Sequence, residues 1–524
     1  MKKALPIILA TSILLSFISF SACTDQTTSV SWNEKTTNNY QNKYVDDATP
    51  TAYYNDGSVF TPVLRFVVTA DTHVMSDYMA QTSRRFSNLF SDIYAYARTQ
   101  EYDKLDAVVV VGDYVDYGQQ EQYAFFAETW QKNILPETAF LCLQAGHELI
   151  SGSRDDHKLY TGNDMGSHVV INGYHFITIS NSRYLYDEYG NIVEYEDGGK
   201  MIVSDPDPDC DVTWIDNALT EAVADTGTQK PIFTFHHHPV SDTILASSFE
   251  GTPIFAPILE KHSNIVDFTA HTHVPNMHPR AIMQNAYTSV SPGAIFYAGN
   301  VSDLGKFDSE GNIDYTKKNQ GLTKTEACSA VSGATVVEVD ATGRIRLLPY
   351  NVLMRAFQQD ISSGNHNKQL IRYIENAGDK STWLYTEDRK DKSAPPVFND
   401  DIYLEYSFED TYIDLTTDIS CKRLILTFDN ANDEDGIELY KVRLIDKSTN
   451  TPINFYKSSN ENVKQDYCYV HSKYYLSPYP DRIRVQTTGI DPFALIVGND
   501  YTLEITPVDV YHIEGKPYCV DFVY

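Results

Sequence analysis

Leu64-Arg65-Phe66-Val67-Val68-Thr69-Ala70 runs straight into Asp71-Thr72-His73, and Ala107-Val108-Val109-Val110-Val111 runs into Gly112-Asp113-Tyr114-Val115-Asp116. Each is a short β-branched run without polar alternation, the pattern of a strand covered on both faces, and each ends in polar residues that can carry chemistry. Between them lies a helix-periodic stretch from Ser76 to Arg98, with Ser76 in the position of an N-cap and apolar residues at Met79, Phe86, Leu89, Phe90, Ile93 and Tyr94. A second helical stretch, Gln119 to Asn133, leads to a third strand, Ala139 to Leu143. Strands alternating with helices specify α/β layers.

The rhythm continues downstream. Val169 to Ser180 reads as a hairpin around Asn172-Gly173-Tyr174, Asp211 to Ala224 as a helix, Pro231 to Phe235 as a strand, Pro257 to Lys261 as a short helix and Ile265 to Thr269 as a strand. A hairpin from Val336 to Leu348 closes a domain set at residues 63–353. Residues 354–396 turn polar and end in Ser393-Ala394-Pro395-Pro396, which reads as a linker. Residues 397–524 hold short alternating segments separated by turns, an all-β sandwich of fewer than about ten strands to which no chemistry is assigned.

The chain opens on Met1-Lys2-Lys3, an apolar stretch from Ala4 to Phe20 and then Ser21-Ala22-Cys23, the charged, apolar, small-residue order of a secretory signal. Phe20-Ser21-Ala22-Cys23 is similar to a lipobox, so residues 1–23 read as a lipoprotein-type signal with Cys23 as the lipidated residue and residues 24–62 as a flexible tether. A simply cleaved or uncleaved signal is the alternative. The expectation is an exported protein, a bacterial membrane-anchored lipoprotein facing the periplasm or the cell exterior, which meets the membrane only through that lipid.

Of the 524 residues 42% are hydrophobic and 21% charged, enough apolar surface for folded domains. Against 71 acidic residues stand 41 Lys and Arg, a net charge of -30 with no basic run, which excludes extended nucleic-acid binding and attracts divalent cations. The cysteines after Cys23 are too scattered for a zinc cluster and leave room for one or two disulfides, with Cys468 and Cys519 in strand-like segments.

Five clusters follow apolar runs: Asp71-Thr72-His73, Gly112-Asp113-Tyr114-Val115-Asp116, Gly146-His147-Glu148, His236-His237-His238-Pro239 and His271-Thr272-His273. Singly, a His-x-His is more often a surface or strand pair, and a Gly-Asp after a strand more often a turn. Five such clusters at strand ends, where open α/β sheets place their functional loops, point instead to one site of mixed carboxylate and imidazole donors, suited to Mn, Fe or Zn.

The order Asp-x-His, Gly-Asp-x-x-Asp, His-Glu, His-x-Pro and His-x-His resembles the calcineurin-like metallophosphoesterase family over about residues 63–350. Gly112 to Gly118 is close to its second motif, and Thr213 to Leu219 looks like its helix after the central hairpin. The resemblance implies a four-layer αββα sandwich followed here by the smaller β domain, and two divalent cations. Asp71, His73 and His273 would hold the first and His237 and His271 the second, with Asp113 bridging; His236 is the runner-up to His237. It further implies a metal-bound hydroxide as nucleophile, His147 as general acid and Asp116 as the residue that orients it.

Where the family's third motif carries Asn, this chain has Gly146, so the second metal loses an oxygen ligand. Water fills the vacancy, the second site becomes weak, or activity is lost while binding persists. The expected function is hydrolysis of a small phosphodiester or phosphomonoester, the alternative a weakened or inactive binding protein of the same fold. A nucleotidase with its own substrate domain is disfavoured, because the C-terminal segment has no base-stacking motif. Oligomeric state is not legible.

Overall fold

A computed structural model describes residues 59–524 except 77, 188, 190, 195–199, 297–305, 308–312, 315–330, 363–367, 413–419, 458–459 and 476–478. The signal, Cys23, most of the tether and Cys328 therefore lie outside the described residues.

Thirteen strands of the first domain are used below, numbered in chain order. They are β1 (Pro62–Thr69), β2 (Ala107–Val111), β3 (Ala139–Leu143), β4 (Gly166–Ile171), β5 (Tyr174–Ile179), β6 (Ile232–His236), β7 (Ile265–Phe268), β8 (Ile282–Gln284), β9 (Thr288–Val290), β10 (Gly333–Asp340), β11 (Ile345–Asn351), β12 (Ala356–Phe357) and β13 (Arg372–Ile374). One sheet runs β12-β11-β10-β1-β2-β3 with β13 also on β11; the other runs β8-β9-β7-β6-β5-β4. Within them β1, β2 and β3 are parallel, as are β5, β6 and β7.

The unbroken apolar runs are explained by what covers each face. On β1, Leu64, Phe66 and Val68 point into the core between the two sheets, where Phe66 meets Phe176 and Phe233 edge-on at 4.9 Å each, whereas Val67 points to the opposite face. There the helices Met79–Arg98 and Gln120–Asn133 cover the first sheet, and Val212–Thr226 and Ala256–Leu259 cover the second in the same way. The layers are α, β, β and α. The Asn172-Gly173 turn between β4 and β5 has φ of 50° and 77°, the left-handed pair that a two-residue hairpin requires.

The first helix starts at Met79, later than the position of Ser76 suggests, because the Ser76 hydroxyl is engaged with Gln119 and supplies no cap. Residues 354–396, read as a linker, contribute β12 and β13 to the first sheet. Their Arg372 donates to the carbonyls of Asn276, Met277 and His278, and Arg389 to those of Pro279 and Ile282. Buried Phe357, Ile374 and Ala377 hold this polar stretch onto the domain, and so few apolar residues leave composition blind to the docking.

Beyond it, a sheet of Leu404–Tyr412, Ser420–Asp429 and Arg482–Gln486 faces a five-stranded sheet built around Ile437–Asp446 and Asp500–Asp509. Leu424, Leu426, Phe428, Tyr440, Val442 and Leu503 fill the space between them. Among the described residues Cys142, Cys210, Cys421, Cys468 and Cys519 form no disulfide, and Cys468 and Cys519 are not placed to pair. Two strands lie between theirs in the sheet, which at about 4.8 Å per strand exceeds the reach of a disulfide. Among the described residues no helix is long and apolar enough to cross a membrane.

Candidate metal centre

Parallel strands send all their C-terminal ends to one edge, so the loops after β1, β2, β3, β6 and β7 converge across the two sheets. The loops are stitched by main-chain bonds: Asp71 N–H to the Gly112 carbonyl (3.1 Å), His73 N–H to that of Asp113 (3.0 Å), and Ala270 N–H to that of His237 (2.8 Å). Five of the candidate donor residues on these loops, Asp71 (φ 49°), His73 (43°), Asp113 (49°), His271 (64°) and His273 (51°), hold left-handed backbone. For residues with a Cβ this costs of order 1 kcal/mol or more each, and such strain clusters at functional sites. Gly112, at φ 78°, is glycine for a second reason: a Cβ there would lie 2.6 Å from Ala145 Cβ and 2.9 Å from His237 Nδ1.

The side chains meet in the enclosed space below the loops. Asp71 Oδ1 lies 3.3 Å from His273 Nε2 and 3.9 Å from both His73 Nε2 and His237 Nε2. His237 Nδ1 donates to the Val111 carbonyl (2.8 Å), which aims Nε2 at Asp113 Oδ2, 2.9 Å away. His236, the runner-up, turns away: its Nε2 meets Asp267 at 3.0 Å and its Nδ1 the His238 carbonyl at 2.8 Å. Asp71-His73-His273, His73-Asp113-His147 and Asp113-His237-His271 each bring one donor atom per residue within 4.8 Å of the others.

Charge and burial suit these atoms to cations. Burial would raise the Asp71 and Asp113 pKa values, but the facing His273 and His237 outweigh it and lower both. His73 is pushed down to about 4 by burial, against its hydrogen bond to Asp116, and is a neutral donor at neutral pH. His237 is pushed up to about 9 because Asp113, and then Asp71, overcome the burial that would lower it. Both Asp71 carboxylate oxygens are buried without a hydrogen-bond partner. Unsatisfied buried oxygens of this kind are costly unless a cation occupies the space beside them, so the residues present fit a metal.

His147 sits at the rim with its side chain 38% exposed. Its main-chain N–H donates to Asp113 Oδ1 (3.0 Å), and its Nδ1 lies 2.6 Å from the Asp116 carbonyl. Burial would lower its pKa, but Asp113, the Asp116 carbonyl and Glu148 raise it. Asp116 thus steadies His147 through its main chain, whereas its carboxylate is nearer His73 Nδ1 (3.2 Å) than His147 Nδ1 (3.7 Å).

Three further residues take roles that sequence reading did not assign, Glu148 among them although it stands in the third cluster. Glu148 accepts from the N–H groups of Asp113, Val115 and Ala145 at 3.2, 3.1 and 2.8 Å and so ties the second and third loops together. Its pKa rises to about 7 through burial and the neighbouring Asp113. Asn181, two residues beyond β5, accepts from His237 N–H at 3.1 Å; the strand-end rule applied to a sixth strand would have found it. Glu250, in the short helix Ser247–Glu250, places Oε2 3.2 Å from His271 Nε2, and no pattern signals it.

Two facing sheets thus carry carboxylate and imidazole donors at their common edge, an arrangement whose residues could hold metal ions. Residues 64–275 match the family model described as calcineurin-like phosphoesterase. Among solved structures the chain is similar to a 5'-nucleotidase precursor from Thermus thermophilus, at 12% identity and a TM-score of 0.26, over 60% of this chain and 54% of that one. The chain thus spans about half the length of that protein. No curated protein matches it.

Proposed function

We propose that the chain hydrolyses a small phosphodiester or phosphomonoester with two divalent cations, Mn, Fe or Zn, held by Asp71, His73 and His273 on one side and by His237 and His271 on the other. Asp113 bridges the two positions. The observation that carries this reading is the orphaned, buried Asp71 carboxylate facing three imidazoles. Bound cations would supply Lewis-acid polarisation of the phosphoryl group and a hydrolytic nucleophile at neutral pH. The chain's own residues do the rest. His147 donates from Nδ1 to the Asp116 carbonyl, leaving Nε2 to hold a proton for the departing oxygen, and its raised pKa favours that protonated form. Asp116 fixes His73 from the side away from the cations, as a carboxylate behind a ligating imidazole does.

Gly146 favours a second reading, a binding protein of the same fold with weak or absent turnover. Metal analysis of the purified chain, with hydrolysis of a diester and monoester panel, separates the two. Two cations per chain with turnover that Asp113→Asn removes supports the enzyme; bound metal without turnover supports the binder. As part of the same reading the protein is exported and lipid-anchored at Cys23. Radiolabelled fatty acid would then enter the wild-type chain and not Cys23→Ala; equal labelling would sink the anchor.

A further inference from the structure

Gly146 has no side-chain oxygen to offer the second cation position, where the family resemblance implies one, and its immediate surroundings do not supply a charged replacement. A Cβ built there meets only the Ser182 hydroxyl, at 3.9 Å, so the room that a side chain would take stays open. Ser182 Oγ is buried and without a hydrogen-bond partner, but it is a neutral hydroxyl and a poor exchange for a charged or amide oxygen. A carboxylate beside His271, outside the Asp113-His237-His271 group itself, comes from elsewhere in the chain. Glu250 Oε2 stands 3.2 Å from Nε2 of His271, the ring grouped with Asp113 and His237.

The loop that brings Glu250 there is built rather than loose. It leaves β6 through His237-His238-Pro239 and returns on itself, with Thr252 N–H on the Pro239 carbonyl (2.8 Å) and Ser241 N–H on that of Thr252 (3.2 Å). Ser247 Oγ donates to the Ile244 carbonyl (2.6 Å) and accepts from Thr243 N–H (2.8 Å), and Ala246 holds φ 69°. At Gly251 a Cβ would fall 2.2 Å from the Ser247 carbonyl oxygen, so only glycine allows the return immediately after Glu250. A folded-back loop with a strained residue and an obligatory glycine delivers one carboxylate to a half-exposed position at the mouth of the site.

We infer that Glu250 is a ligand of the second cation and supplies the oxygen that Gly146 cannot. The inference rests on the two-cation reading above. A carboxylate reaching in from the β6 loop replaces an amide reaching in from the β3 loop, and the site keeps its oxygen donors with one more negative charge. The rival role for Glu250 is to orient His271 from behind without touching the ion, as carboxylates do for other ligating imidazoles.

Calorimetric Mn²⁺ titration of the metal-stripped full chain, with Mn²⁺ paramagnetic resonance as a count of bound ions, tests the assignment. Wild type is expected to take up two ions. Glu250→Gln is expected to weaken one of them by about tenfold or more while leaving the other unchanged. Adding Gly146→Asn to Glu250→Gln is expected to restore it, because the amide oxygen returns from the other loop. Unchanged binding in Glu250→Gln, weakening in Ser182→Ala instead, or weakening that Gly146→Asn does not rescue would overturn the assignment and leave the two-cation reading intact. Uptake of fewer than two ions by wild type, indifferent to Asp113→Asn, would take both down.

Discussion

Strand β1 carries a buried charge at each end, and the two have opposite fates. Near its start Arg65 meets Glu338 of β10, whose Oε1 accepts from Arg65 Nε (2.6 Å) and the Tyr96 hydroxyl (3.1 Å) while Oε2 accepts from Arg346 Nε. Just past its end, Asp71 is equally buried, but its carboxylate faces the imidazoles of His73, His237 and His273 instead of guanidinium groups. Arg65, Glu338 and Arg346 lie on regular strands, whereas Asp71 and its neighbours His73, Asp113 and His273 hold left-handed backbone. Burial of a carboxylate is common to both and so says little about function. The unsatisfied oxygens and the strained loops are what separate a cation site from a structural ion cluster.

Four changes test that contrast, taken from the largest expected effect. Asp113→Asn should cut turnover on the order of 10³-fold and lower metal content, with the chain still folded by circular dichroism. Turnover surviving at wild-type level would remove Asp113 from the centre. His147→Ala should lower kcat by about 10²-fold with metal content unchanged, and a less acidic leaving group should suffer more. If metal is lost instead, His147 is a ligand and not a proton donor.

At the other end of β1, Glu338→Ala leaves two buried guanidinium groups without their carboxylate and should cost about 3–5 kcal/mol of unfolding free energy. Urea unfolding measures this, and metal content of the folded fraction should not move; an equal loss of metal would break the distinction between the two ends. The smallest effect is on acid sensitivity. Burial would raise the Glu338 pKa, but Arg65 and Arg346 outweigh it and hold the value below the usual 4.5. A carboxylate whose folded pKa is depressed contributes stability fully above its unfolded value and loses it as pH falls through the folded one. Wild type should therefore lose stability progressively below pH 4.5, and Glu338→Gln should show a shallower acid limb; parallel limbs would refute the role.

Much of the fold is legible because its strands are buried on both faces and announce themselves as unbroken apolar runs, as Ala107-Val108-Val109-Val110-Val111 does on β2. The hairpin at Asn172-Gly173 is equally legible, since its turn needs residues that accept positive φ. The docking of residues 354–396 is not, because Phe357, Ile374 and Ala377 are too few to stand out in a polar stretch.

At the site, the five clusters are legible as donor types at strand ends, and the choice of His237 over His236 rests on the family resemblance, in which the ligand stands two residues before a proline, here Pro239. Asn181 is hidden because Asn-Ser is ordinary loop composition, and Glu250 because it lies far along the loop from His237, at no fixed offset from any strand end. The split duty of Asp116, carbonyl to His147 and carboxylate to His73, depends on loop conformation and has no signature in residue type.

The sequence by itself determined the layered α/β class, the polar ends of the strands and the kinds of donor atom they carry, because periodicity and residue chemistry are local properties. Only the tertiary structure decided which donors share a space, which oxygens are left without a partner and which distant carboxylate reaches His271. Those outcomes depend on how two sheets and their loops pack, and no local stretch of chain contains that information.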